Sequence, residues 1–277
     1  MLYIHIGLPK TGTTFLQVEI FPKWNGIKYL GGRKKEITLK ELVEIDDNQT
    51  YLISKEYLAG EPKIVNLAKL FPEAKIMVSF RKHDKWVTSR YKQYIQDINC
   101  STLSFKEFFD IENNNGYFKK ENLNYRKKIK TIEESFNQKP FVFLQEELTD
   151  NLDGVLKDME YFMGGRAPKI DKLGDNKSNK GLGYYQSIVM MNVNKLFKCP
   201  KNPSGIIPYN QYTWFVRKVI RYILQNPLAS VPKRSIKMDE KQKKLTEEYY
   251  KDDWNFVLNY IKNECTYRYN FDDSRYR

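Results

Sequence analysis

The sequence predicts an α/β fold in which a parallel sheet is flanked by helices and followed by a mainly helical C-terminal half. Short apolar runs that fit buried strands occur at Leu2–Ile6, Tyr51–Ile53, Lys75–Ser79 and Phe141–Leu144. Helical patterns lie between them, and alternation of this kind is the signature of parallel strands covered by helices. After Gly164-Gly165 the character changes, and helical patterns dominate with no convincing buried strand.

The elements follow in order. The first strand runs into Gly7-Leu8-Pro9-Lys10-Thr11-Gly12-Thr13-Thr14, a Gly/Lys/Thr turn that opens a helix over Thr13–Ile20. The second ends in Ser54-Lys55-Glu56 and is followed by a helix over Pro62–Leu70. Lys75–Ser79 leads to Phe80-Arg81 and a helix over Asp84–Gln96 that carries Ser89. A helix over Leu123–Phe136 precedes Phe141–Leu144, and Leu152–Phe162 closes the α/β half. Beyond it, Tyr184–Leu196, Tyr212–Leu224 and Glu240–Lys262 read as helices, separated by Pro/Asn/Lys/Gly-rich stretches at 166–183 and 199–208 that read as loops. The expectation is one domain over 1–277, with an α/β cofactor-binding core at 1–165 and a helical extension with lid or substrate loops at 166–277.

A chain of 277 residues with 20 Tyr and 16 Phe can form a substantial core. It contains no apolar run long enough to span a membrane. Polar residues begin too early for a signal peptide, so the expected location is the cytoplasm. Cys100, Cys199 and Cys265 are widely spaced and odd in number, against both a disulfide framework and a CxxC metal site. The net charge of +13 draws anions: nucleic acid, an anionic surface, or a charged cofactor and an acidic substrate.

The turn at Gly7–Thr14 is built to cradle a phosphate-like anion. Its backbone N–H groups and those of the helix's first turn point at a ligand, Lys10 supplies a full charge, and the threonines supply donors without bulk. It is not a Walker A loop, because Lys10 precedes Gly12, and it is not a dinucleotide G-x-G-x-x-G fingerprint. Arg81, at the C-terminal end of a strand, stands where ligands of open α/β sheets collect, and a guanidinium can fork onto a phosphate that Ser89 reaches from the side.

Pro9-Lys10-Thr11-Gly12-Thr13-Thr14 after an N-terminal strand resembles the 5′-phosphosulfate loop of sulfotransferases that use 3′-phosphoadenosine 5′-phosphosulfate (PAPS). Strand-Arg81 followed by Ser89 resembles the motif by which the same enzymes bind the 3′-phosphate, with a departure at Lys82-His83, where many members carry Asn-Pro. The resemblance, to bacterial members related to carbohydrate sulfotransferases, implies a P-loop-like sheet and a PAPS donor without a metal. Pro9, Lys10 and Thr11 to Thr14 would hold the phosphosulfate, with Lys10 at the leaving oxygen, while Arg81 and Ser89 would hold the 3′-phosphate. It also implies Lys177, Ser178 and Lys180 as contacts in a basic loop over the nucleotide, and a carbohydrate or cell-surface glycan as acceptor.

Glu56, ending a strand where family members carry a histidine or glutamate base, looks like the general base. Glu36, Glu41 and Glu44 compete for that role, whereas His5, inside a strand, reads as a packed residue. Two rivals stay open. A basic nucleic-acid-binding protein would explain the charge and the tyrosines but leave the ordered motifs as coincidences, and a nucleotide-dependent kinase would need a magnesium ligand that is not evident.

Overall fold

The computed structural model describes residues 1–31, 48–56, 60–96, 102–170, 182–199, 202–208, 210–225 and 238–277. In chain order the elements are β1 (Leu2–Gly7), α1 (Thr13–Phe15), β2 (Lys28–Tyr29), β3 (Tyr51–Glu56), α2 (Glu61–Leu70), β4 (Lys75–Phe80), α3 (His83–Gln96) and α4 (Phe105–Phe108). They continue with α5 (Tyr125–Phe136), β5 (Phe141–Leu144), α6 (Glu147–Asp150), α7 (Leu152–Met163), α8 (Tyr184–Leu196), β6 (Phe197–Lys198), β7 (Ile207–Pro208), α9 (Gln211–Gln225), α10 (Glu240–Tyr249) and α11 (Lys251–Asn263). The chain forms two compact units, one of residues 1–82, 124–174 and 250–277, the other of residues 83–123 and 175–249.

Among the described residues, the first unit contains a five-stranded sheet in the order β2-β3-β1-β4-β5, every pairing parallel. All four predicted strands are present, and β1 stands at the centre. The chain leaves β1 for β2 and β3 on one side and crosses to β4 on the other, so the C-terminal end of β1 is a topological switch point. The strands are buried because both faces are covered, which is why they read as apolar runs rather than as alternations.

On one face, Phe80 stacks on Tyr125 of α5 at 4.4 Å between centroids, and α5 packs on α2 and α11. Asp253, in the first turn of α11, accepts from the backbone N–H of Tyr125 and Arg126 at 2.9 and 2.8 Å, which satisfies donors that the start of α5 leaves open. On the other face lie Tyr3, His5, Phe141 and Phe143. Phe162 of α7 meets Tyr3 edge-on at 5.3 Å, and Phe21 meets His5 at 5.5 Å.

Three sequence expectations change. The helix expected at Thr13–Ile20 is a short α1 that widens into a π-helical stretch, Leu16–Ile20, and ends in a 3-10 turn, Phe21–Lys23. That path buries Leu16, Ile20 and Phe21 together beneath the sheet. The helix expected over Glu240–Lys262 is broken at Tyr250, which is buried. The absence of a strand after Gly165 is also corrected: β6 pairs with β7 over two residues, and Phe197 is buried there. Such short pairing leaves no periodic signal.

Among the described residues, the regular structure of the second unit is helical apart from that ladder. A capping box at Ser104 and Glu107 starts α4, whose Phe108 packs among Tyr91, Tyr94, Tyr117 and Phe118. Trp86 and Tyr94 of α3 are core residues, as their place in the sequence suggests.

Candidate functional site

Strand register assembles the first unit's site. Gly7, the last residue of β1, pairs with Glu56 of β3 on one side and Ser79 of β4 on the other. Three consecutive segments of the predicted machinery therefore leave the sheet at one edge: the loop after Gly7, the acid at Glu56, and Arg81 two residues past Ser79. Alternation along β3 puts Leu52, Ser54 and Glu56 on one face, the face where the Ser54 side chain meets His5 and Gln17. Glu56 is half-buried, and it stands in the strand rather than at a helix start.

The loop is held in shape by its glycines and by Thr11. Gly7 lies so close to Thr13 that a Cβ there would collide with Oγ1 of the threonine. Gly12 has φ of 87°, and a Cβ on it would strike Cδ1 of Leu148. Both the left-handed backbone and the close approach require glycine. Lys10 also has positive φ, 70°, and is exposed, so the turn carries it out of the core. Nη1 of Arg81 donates to the carbonyl of Lys10 at 3.3 Å, which brings the guanidinium to the loop. The hydroxyl of Tyr125 donates to the carbonyl of Arg81 at 2.8 Å, anchoring the turn after β4.

Beneath the loop runs a chain of buried hydrogen bonds whose direction the proton count settles. The Thr11 hydroxyl donates to the carbonyl of Leu8 at 2.7 Å, so its bond of 2.7 Å with Ser79 must be one in which Ser79 donates. Ser79, its proton used, accepts at 3.2 Å from Nε2–H of His5. The neutral ring then presents Nδ1 as an acceptor, and the Ser54 hydroxyl donates to it at 2.7 Å. Gln17 completes the line by donating to Oγ of Ser54 at 3.2 Å. His5 therefore ties the loop to β3, β4 and the helical run after it. Sequence reasoning placed His5 correctly in the core but gave no sign of this role, because its partners are 49 and 74 residues away.

Burial in this setting lowers the His5 pKa from the usual 6.5 to about 3. The unfolded chain thus binds a proton that the folded chain does not, over the window from about pH 6.5 down to about 3. Stability falls as pH falls through that window, at up to about 1.4 kcal/mol per pH unit. In urea unfolding at a series of pH values, His5→Gln is expected to be less stable than the wild type at pH 7.5 and to lose less stability on acidification. A constant difference between the two proteins would show that His5 is not the titrating group.

Ser89 lies on α3 in the second unit and is half-buried. His83 begins that helix, buried, with Nε2 3.2 Å from the carbonyl of Leu123. Glu36, Glu41, Glu44, Cys100, Lys177, Ser178 and Lys180 lie outside the described residues.

No family model and no curated protein matches the sequence. Among solved structures, the chain is similar to a sulfotransferase from Alicyclobacillus acidocaldarius, at 16% identity over 76% of this chain and 88% of that one, with a TM-score of 0.41. It is also similar to mouse sulfotransferase SULT7A1 complexed with PAP, at 15% identity over 91% of this chain and 83% of that one, with a TM-score of 0.47. Both similarities are distant.

A second group of charged residues supports the loop from below. Arg268 donates to Oδ2 of Asp158 at 2.6 Å and to Oε1 of Glu147, with all three side chains buried. Glu147 also accepts from the backbone N–H of Leu144 at 2.8 Å, and its neighbour Leu148 is the side chain against Gly12. The C-terminal segment is thereby fastened to the end of β5 and to the underside of the loop. Among the described residues, no group of His, Cys, Asp and Glu is arranged to hold a metal.

Proposed function

We propose that this protein is a sulfotransferase that moves a sulfuryl group from PAPS to a hydroxyl or amine. The observation that carries the reading is the register at Gly7, with Glu56 and Ser79 on its two sides and Arg81 bonded to the loop carbonyl. An anion loop, a carboxylate and a guanidinium then share one sheet edge, as transfer of a charged group to a nucleophile requires.

In this reading the acceptor oxygen or nitrogen attacks sulfur and gives its proton to the Glu56 carboxylate. The bond between sulfur and the bridging oxygen breaks, and 3′-phosphoadenosine 5′-phosphate departs. Lys10 meets the charge that develops on the bridging oxygen, while the N–H groups from Thr11 to Thr14 hold the sulfonate and 5′-phosphate end. Pro9 shapes the turn. Arg81 takes the 3′-phosphate, a role shared with Ser89 on the strength of sequence spacing and with Lys177, Ser178 and Lys180 on the strength of resemblance. The acceptor class, a carbohydrate or cell-surface glycan, likewise follows from resemblance.

Calorimetric titration tests the donor. 3′-Phosphoadenosine 5′-phosphate should bind at least about tenfold more tightly than ATP, and Lys10→Ala should weaken it by about 10- to 100-fold through the loss of a charge-assisted contact. Equal affinity for ATP would remove Arg81 and Ser89 from the nucleotide site. Salt-sensitive binding of oligonucleotides, with no binding of the nucleotide, would replace this reading with a nucleic-acid-binding one.

A further inference from the structure

Helix α9, in the second unit, buries an arginine and exposes an apolar stripe. Arg217 is 2% exposed, and its Nε donates to Oδ1 of buried Asn194 on α8 at 3.0 Å. Asn194 in turn donates to the carbonyl of Ile95 at 3.0 Å, and Arg221 reaches the carbonyl of Gln96 at 3.5 Å. The packed side therefore holds a buried charge, with Trp214, Ile220 and Leu224 half-buried on the same helix, while the exposed side carries a second, largely apolar stripe. Tyr212, Phe215, Val216, Val219, Tyr222 and Ile223 recur at spacings of three and four, and they are 40% to 73% exposed. Helix α8, packed against α9, adds exposed Tyr185, Ile188 and Val189. A surface of this extent on one chain marks a site of interaction.

Charge selects the partner. From Asn176 to Met238 the sequence has eleven Lys and Arg and not one Asp or Glu, so this stretch carries most of the net charge of +13. We propose that the outward face of α9, with the adjoining face of α8, docks the protein on an anionic lipid surface. The apolar side chains enter the boundary between headgroups and acyl chains, and exposed Lys195 of α8 and Lys218 of α9 meet headgroup phosphates. Tyr212 and Tyr222, with apolar rings and polar tips, suit that boundary.

A second copy of the chain would set Lys195 and Lys218 against their own counterparts, with no acid on either helix to offset the repulsion. A nucleic acid would satisfy the charge, but Val216, Val219 and Ile223 cannot stack on bases. None of the described helices is long and apolar enough to cross a membrane, so the contact is with the surface.

Flotation of the full chain with lipid vesicles tests the proposal without an activity readout, and so independently of the donor reading. The protein should float with phosphatidylcholine vesicles containing phosphatidylglycerol, stay behind with pure phosphatidylcholine, and be released by salt. Phe215→Ser/Ile223→Ser should partition at least about tenfold less. Its circular dichroism and affinity for 3′-phosphoadenosine 5′-phosphate should be those of the wild type. Lys218→Glu, which leaves the apolar stripe intact, should weaken binding to anionic vesicles alone. Failure of the wild type to float with anionic vesicles, or equal flotation of the double variant, overturns the proposal. So does a wild-type dimer that the double variant dissociates, if neither protein floats.

Discussion

Glu56→Gln is expected to lower the rate of sulfuryl transfer by about 10²- to 10⁴-fold and to leave the affinity for 3′-phosphoadenosine 5′-phosphate unchanged. The substitution keeps the size of the side chain and removes its negative charge together with its capacity to take a proton. The pairing of Glu56 with Gly7 is one of backbone, so a glutamine there keeps the strand register. The paired measurement is single-turnover transfer from PAPS alongside calorimetric binding of the nucleotide product. Near-normal turnover in the variant would pass the role of base to Glu36, Glu41 or Glu44. Loss of nucleotide affinity in proportion to rate would make Glu56 a binding residue instead.

Arg268→Leu is expected to cost about 3–5 kcal/mol in folding stability, a large share of the total for a domain of this kind. The arginine lies between Glu147 and Asp158, and its guanidinium stands 5.2 and 5.4 Å from the rings of Phe141 and Phe271. Burial pushes the pKa of both carboxylates up, and Arg268 pulls it back. Without Arg268 the two acids are buried charges with their main counter-ion gone. Each then gains by taking up a proton, so the deficit of the variant should shrink as pH is lowered. Replacing Glu147 and Asp158 by leucine in the same protein should recover much of the loss, because a well-packed apolar cluster avoids the cost of desolvating ions. The check is the urea midpoint of each protein. A wild-type midpoint in Arg268→Leu would mean that the cluster does not carry the C-terminal segment. Since Leu148 follows Glu147 and abuts Gly12, the same variant should also bind the nucleotide less well.

The parts of the site legible in the sequence are those whose chemistry is local. A lysine and two glycines within six residues after an apolar run can be read as an anion loop without knowing the neighbours. The four long strands were legible because burial on both faces makes them uniformly apolar. β2 was not, since two residues carry no period. The break at Tyr250 is silent in the sequence for the opposite reason: the apolar spacing continues across it, while in the structure Tyr250 is buried and Asp253, three residues on, accepts from the start of α5.

The sequence by itself determined the α/β class, the order of the four long strands and of the helices between them, and the chemical character of the loop, because hydrophobic periodicity and turn chemistry act over neighbouring residues. Only the tertiary structure decided that Glu56 and Ser79 flank Gly7, that His5 carries a line of hydrogen bonds from Gln17 to Leu8, and that Arg268 closes on Glu147 and Asp158. Strand register and burial bring together residues dozens of positions apart, and those contacts leave no pattern along the chain. The outward face of α9 belongs to the same class. Its apolar stripe is visible in the sequence, but only the burial of Arg217 on the opposite side turns that stripe toward solvent.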